Sequence, residues 1–185
     1  MRSIKYNWRI TKYNPEYRNN HDQFMKEDWT SFSDIGKPFN GEILTFNDYI
    51  KIESKYVNTV SFFISYLEIP YLKVTHLEKY IHNELELEHK HYQFPYFKHT
   101  SDQETFITTI KDETIVDEKQ TRQLCRYILR DHLWCKLEYN DLFFVHFGFD
   151  FYMYIGCNID CTPLIKEILT DTSLYIENCI SPYID

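Results

Sequence analysis

Apolar and polar side chains alternate along "LFFVHFGFDFYMYIGC", Leu142 to Cys157. Val145, Phe147, Phe149, Phe151, Met153 and Ile155 share one parity, and Phe144, His146, Gly148, Asp150, Tyr152 and Tyr154 share the other. A period of two places these sets on opposite faces of a strand. The first is a core face. The second carries a histidine, an acid and two tyrosines. Gly148 marks a bulge, a bend or a turn that splits the run into two strands. "LWCKLEY" before it is another strand, so the C-terminal third reads as a meander. A three-residue loop, Tyr139-Asn140-Asp141, pairs Leu137 with Phe143 and Cys135 with Val145. That register leaves Lys136 and Glu138 on the side of Phe144 and His146.

The same reading extends along the chain. "KYNWRITKYN" is a first strand, with Trp8 and Ile10 on one face and Arg9 and Tyr13 on the other, and Asn14-Pro15 breaks it. Residues 15–30 are a polar loop, and "WTSFSDIG" predicts a short strand stopped by Gly36 and Pro38. Thr45 to Leu67 is the best helix. Phe46, Tyr49, Ile50, Tyr56, Val57, Val60, Phe63, Ile64 and Leu67 make its apolar stripe, and Thr45 with Asp48 resembles a capping box. "YLKVTHL" after Pro70 is a strand. Residues 81–105 carry two signals: dense glutamate favours helix, and the alternation from Glu84 to Leu87 favours an edge strand. Helix is the reading adopted. "TFITTI" at 105–110 suits a strand, and Asp117 to Leu133 a helix capped by Asp117 with Gln120 reaching back. Thr162 caps a short helix with Pro163 at its first position, and "SLYIENC" is a closing strand. These elements predict one domain over 1–185. Its class is α+β: a mainly antiparallel sheet of five to seven strands, with two or three helices packed on one face.

Composition narrows the chemistry. Of 185 residues, 18% are aromatic, with 16 Tyr and 14 Phe, and there is no alanine. An AT-rich coding sequence gives this bias; surface tyrosines used for recognition are the functional alternative. The net charge is −8 with no Lys/Arg block, which argues against nucleic acid and suits a basic protein partner. Five cysteines are an odd count, unlike a disulfide framework, and imply a reducing cytoplasm. The N-terminus lacks the apolar region of a signal peptide, and no apolar run is long enough for a bilayer. Only 4 Gly are present, with no Walker loop, G-x-G-x-x-G, H-E-x-x-H or G-x-S-x-G, so nucleotide enzymes are disfavoured.

Four constellations could carry chemistry. His89 and His91 would share a strand face and, with His82, Glu86 and Glu88, could ligate Zn or Ni; in a helix they diverge and form solvated surface. Cys157 and Cys161, in "CNIDC", lack the second pair a zinc site needs, and are read as buried or incidental thiols with no metal. His146 and Asp150 lie roughly 13 Å apart on a straight strand, too far to pair unless Gly148 turns the chain. With Tyr152 they could line the pocket of a small enzyme or ligand-binding protein. That face is otherwise solvent-facing, or a protein interface with Phe144, Tyr152 and Tyr154 as anchors and Glu138, His146 and Asp150 as polar contacts. Finally, Asp28, Trp29 and Asp34 form an acidic loop around a tryptophan, which is either an interaction hot spot or a plug at the core edge.

The stretches "YNWRITKYNPEYR", "EDWTSFSDIG" and "LWCKLEYNDLFFVHFGFDFYMYIG" resemble an uncharacterised family of small acidic bacterial proteins from low-GC Firmicutes. The resemblance would span most of the chain and carries no catalytic residue with it. In size and charge the chain also resembles immunity proteins of toxin systems and phage- or island-borne inhibitors. The net charge, the abundant tyrosines and the absent catalytic motifs predict a cofactor-free monomer or homodimer in a reducing cytoplasm that binds a basic protein partner, such as a toxin, and neutralises it by steric occlusion.

Overall fold

The computed structural model describes residues 4–80 and 100–184. Alternation becomes a seven-stranded antiparallel sheet. The strands are β1 (Tyr6–Thr11), β4 (Leu72–Lys79), β5 (Ile115–Val116), β6 (Leu133–Tyr139), β7 (Phe143–Phe147), β8 (Tyr152–Cys157) and β9 (Tyr175–Asn178), in the order β5-β4-β6-β7-β8-β1-β9. The N-terminal strand therefore lies between two C-terminal ones, β8 and β9. A separate ribbon pairs β2 (Pro38–Phe39) with β3 (Glu42–Ile43). Its turn is Asn40-Gly41, both at positive φ, a strong hairpin signal that the sequence reading passed over.

Helix α1 (Phe46–Tyr66) starts where Thr45 accepts the Asp48 N–H at 3.2 Å. It buries Tyr49, Tyr56, Val57, Val60, Phe63 and Ile64. Phe63 lies 5.8 Å from the Trp8 ring and 6.3 Å from Phe143, which fixes α1 on the sheet face that holds Trp8, Val145 and Ile155. There α1 packs against α3 (Glu118–Leu129) and α4 (Thr162–Thr172). Asp117 and Gln120 form the reciprocal cap of α3. Between α1 and α3 the carboxylate of Glu53, 1% exposed, accepts two bonds from Arg130, at 2.6 and 2.7 Å. A buried charge is tolerable when it is paired in this bidentate way.

Five expectations need correction. "TFITTI" belongs to helix α2 (Ser101–Thr109), not a strand. Ile107 and Ile110 are both buried at helical spacing, and the hydroxyls of Thr108 and Thr109 bond back to the Thr105 carbonyl, so packing overrides the β preference of Thr and Ile. "WTSFSDIG" forms a 3₁₀ turn at Phe32–Asp34, because Ser31 and Asp34 cap each other's backbone. The N-cap of α4 is Cys161, not Thr162; the Thr162 hydroxyl bonds Asp160 instead. The β6–β7 turn is Asn140-Asp141-Leu142, so Leu137 opposes Val145 and Tyr139 opposes Phe143. The register differs by two residues from the expected one, which preserves which side chains share a face. Phe149 leaves the core face altogether and is 83% exposed, because the strand has already ended in a turn. The His82–His91 cluster lies outside the described residues. Among the described residues no helix is long and apolar enough to cross a membrane.

Candidate functional site

The face opposite the helices is not an open sheet surface. All five residues of β7 are buried, Phe144 and His146 among them. The cover is the C-terminal segment, which turns at Pro182–Tyr183. The Ser181 hydroxyl meets His146 Nδ1 at 2.9 Å, and the Tyr183 ring packs against Trp134, His146 and Tyr154. Phe144 lies over Gly156, where a Cβ would stand 2.2 Å from the ring; only glycine leaves room for that approach. Glu138 accepts from the Thr75 hydroxyl at 2.9 Å and lies 3.7 Å from His146 Nε2. The nearby His146 imidazole holds the Glu138 carboxyl below its usual range, with the Thr75 hydroxyl adding to the effect and burial opposing it.

Ser181, His146 and Glu138 have the composition of a catalytic triad. Their setting is that of a clamp. Ser181 is 3% exposed and its oxygen also accepts the Tyr183 N–H, and neither Ser181 nor His146 lines any of the three cavities described among these residues. The contacts hold the tail on the sheet.

The acidic loop is also structural at its centre. Trp29 plugs the core edge, 4.9 Å from Phe151 and 5.6 Å from Tyr49. Above its ring, at 3.9 Å, lies the Lys12 ammonium, which pairs with Asp28 at 2.7 Å. Burial pulls the Lys12 pKa down to about 8 against the pull of Asp28. Asp34 accepts the amides of Thr30 and Ser31 and the Lys37 ammonium. Burial raises its carboxyl pKa, but these bonds outweigh that and leave it below the usual range. Tyr152 stacks beside Tyr13 and under the guanidinium groups of Arg9 and Arg18. Those arginines pair with Asp22 and Glu177. Tyr154 is half-buried, and burial raises its pKa.

The nine candidates thus separate into a covered face (Glu138, Phe144, His146, Tyr154), a packed loop (Asp28, Trp29, Asp34), Tyr152 at the edge, and Asp150. Asp150 opens onto the cleft at the end of the sheet, while Trp29 lines a more open depression beside α1. The cleft has a volume of about 440 Å³ and lies at the end of the sheet where β6, β7 and the β7–β8 turn meet the C-terminus of α3. This volume is within the range of ligand-sized pockets. Two backbone irregularities build it. In β4 an extra residue between Thr75 and Glu78 makes a bulge, with His76 at φ 54°, and re-aims Glu78. At the β7–β8 turn the Tyr152 N–H reaches the Phe149 carbonyl at 3.1 Å, and Asp150 and Phe151 both have positive φ, 56° and 60°. Left-handed backbone is strained for phenylalanine. Phe151 is held there by the rings of Trp29, Tyr49 and Tyr56, while the Tyr56 hydroxyl donates to its carbonyl at 2.6 Å. The outcome is that Phe149 and Asp150 project at the cleft mouth.

The cleft walls are apolar and aromatic, with the carboxylates of Glu78, Asp131 and Asp150 among the lining residues and no Lys or Arg. Apart from Asp150, the sequence reading found none of its chemistry. Glu78, Asp131 and Trp134 come from separate elements, and Tyr183 from the tail. No local pattern joins them. The thiols of Cys157 and Cys161 lie 3.5 Å apart, buried; burial raises both, that of Cys161 to about 12. Among the described residues no cluster of three or more His, Cys, Asp or Glu could hold a metal ion. No family model, no curated protein and no solved structure matches the chain.

Proposed function

We propose that the chain is a cytoplasmic protein-binding module that neutralises a basic partner, as an immunity protein neutralises its toxin, by covering the partner's working surface. The observation that carries this reading is the aromatic cleft with three carboxylates and no cation in its lining, on a chain of net charge −8. A negative field speeds encounter with a positive surface, and aromatic anchors in a desolvated groove slow dissociation. The contact surface is therefore the cleft end of the sheet, centred on Asp150 and Phe149 rather than on the covered residues Phe144 and His146. The resemblance to immunity proteins and phage-borne inhibitors is one of size and charge, and supports the class of action rather than a particular target.

The test is capture of a partner by tagged protein from host lysate at low and at high salt, read by mass spectrometry. One stoichiometric basic protein, lost at high salt and captured more weakly by Asp150→Asn, is expected. No partner at either salt would overturn the reading.

A further inference from the structure

We propose that the cleft receives a single arginine side chain projecting from the basic partner. The inference rests on the binding reading above and names the group that the cleft recognises.

The argument starts from what the site lacks. Glu78 and Asp150 line the cleft, and neither has a cationic partner among the described residues. The chain's own arginines in that set are engaged elsewhere. Arg9 and Arg18 pair with Glu177, Arg126 and Arg130 face Glu53, and Arg122 donates to Ser61 and Asn58. Among the described residues no Lys or Arg lines the cleft, and the cation proposed for it belongs to another molecule. A second copy of this chain is a poor source, since it brings the same net negative charge.

The walls then choose among cations. Trp134 and Tyr183 stand 5.6 Å apart at a tilt of 54° on one side, and Tyr80 and Phe149 expose their rings at the opening. A guanidinium is flat, weakly hydrated and stacks on aromatic faces while its edge bonds a carboxylate in bidentate fashion. A lysine ammonium is a compact, strongly hydrated point charge, which loses more on entering an apolar groove and cannot stack. The trapped geometry of the turn matters too. With Phe151 locked by three rings, the backbone that carries Asp150 is already fixed before binding.

The test uses the full chain labelled with ¹⁵N and titrated at low salt with N-acetyl-arginine amide, its lysine counterpart, and the neutral citrulline counterpart. Saturable shifts of the Trp134 indole N–H and of the amides of Gly148 to Phe151 are expected with the arginine probe. The lysine probe binds at least about threefold more weakly, and the citrulline probe does not shift these signals. Each of Glu78→Gln and Asp150→Asn weakens the arginine probe by about threefold, in line with solvent-accessible ion pairs. No shift at these positions, equal shifts from citrulline, or an unchanged affinity in the double variant would overturn the inference. Capture from lysate separates the two levels. A salt-sensitive partner retained without arginine-probe binding overturns the cleft assignment and leaves the binding module. Probe binding with no captured partner overturns both, and makes the cleft a site for a small free cation.

Discussion

Two rows of residues, one position apart, cross the sheet side by side. Val74, Leu137, Val145, Ile155 and Trp8 oppose one another strand by strand on the helix face. One residue along, Thr75, Lys136, His146, Tyr154, Arg9 and Glu177 do the same on the opposite face. The first row is covered by helices and stabilises the fold by removal of apolar area from water, at about 25 cal/mol per Å². The second is also largely buried, yet its groups are polar and must be paired where they are covered. Its cover is accordingly different: a C-terminal tail, a loop carrying Arg18 and Asp22, and specific partners rather than area. Water can replace those partners, so the tail is a weaker cover than the helices, and the two faces should respond differently to damage.

The largest effect should come from the helix face. Phe63→Ala removes a fully buried ring between Trp8 and Phe143 and is expected to cost about 3–5 kcal/mol in urea unfolding. A loss no greater than that of a tail variant would break the comparison. On the other face, Gly156→Ala places a methyl against the Phe144 ring and should cost about 1–3 kcal/mol. Calorimetry of Gly156→Ala with Phe144→Leu should recover part of that loss; no recovery would mean that the strain lies elsewhere. Ser181→Ala deletes the hydroxyl at His146 and should cost about 1 kcal/mol, with faster amide exchange confined to residues 179–184. Exchange that quickens across α1 as well would show the two covers to be one cooperative unit.

The smallest effects are in the pH dependence, and they have opposite origins. Glu138 is held below its unfolded pKa of about 4.3. Between the two values the unfolded chain binds more protons, so its contribution is lost as pH falls through that window. Lys12 titrates at about 8 in the fold against 10.5 ordinarily, so the unfolded chain again binds more protons between those values. Stability should therefore rise with pH from about 8 to 10.5. Glu138→Gln should flatten the acid limb of the stability curve and Lys12→Met the alkaline one; an unchanged limb in either variant would sink that assignment.

Much of the architecture was legible before any coordinates. Helix α1 is readable because Tyr49, Val60, Phe63 and Ile64 recur at helical spacing behind a Thr45 cap. The α3 cap at Asp117 and Gln120 and the β6–β7–β8 meander are local patterns of the same kind. The misreadings were also local in origin. "TFITTI" is rich in β-formers but packs as a helix, and "WTSFSDIG" hid a Ser31–Asp34 cap inside a strand-like composition. The candidate site was less legible. The parity argument placed Phe144 and His146 on the correct face, and Trp29 was offered both as hot spot and as plug; the plug is what the packing shows. Nothing in a strand's own pattern says what will lie over it.

By itself, the sequence determined the periodicities, and through them the class of fold and which side chains share a face, because those depend on residues within one turn or one strand of each other. Only the tertiary structure decided which polar face is covered and which corner stays open. The tail closes over His146 from 35 residues away, and the cleft draws Glu78, Asp131, Trp134 and Asp150 from separate elements. Contacts between distant segments form when the whole chain minimises exposed apolar area and unpaired polar groups together, and no short window of sequence contains that balance.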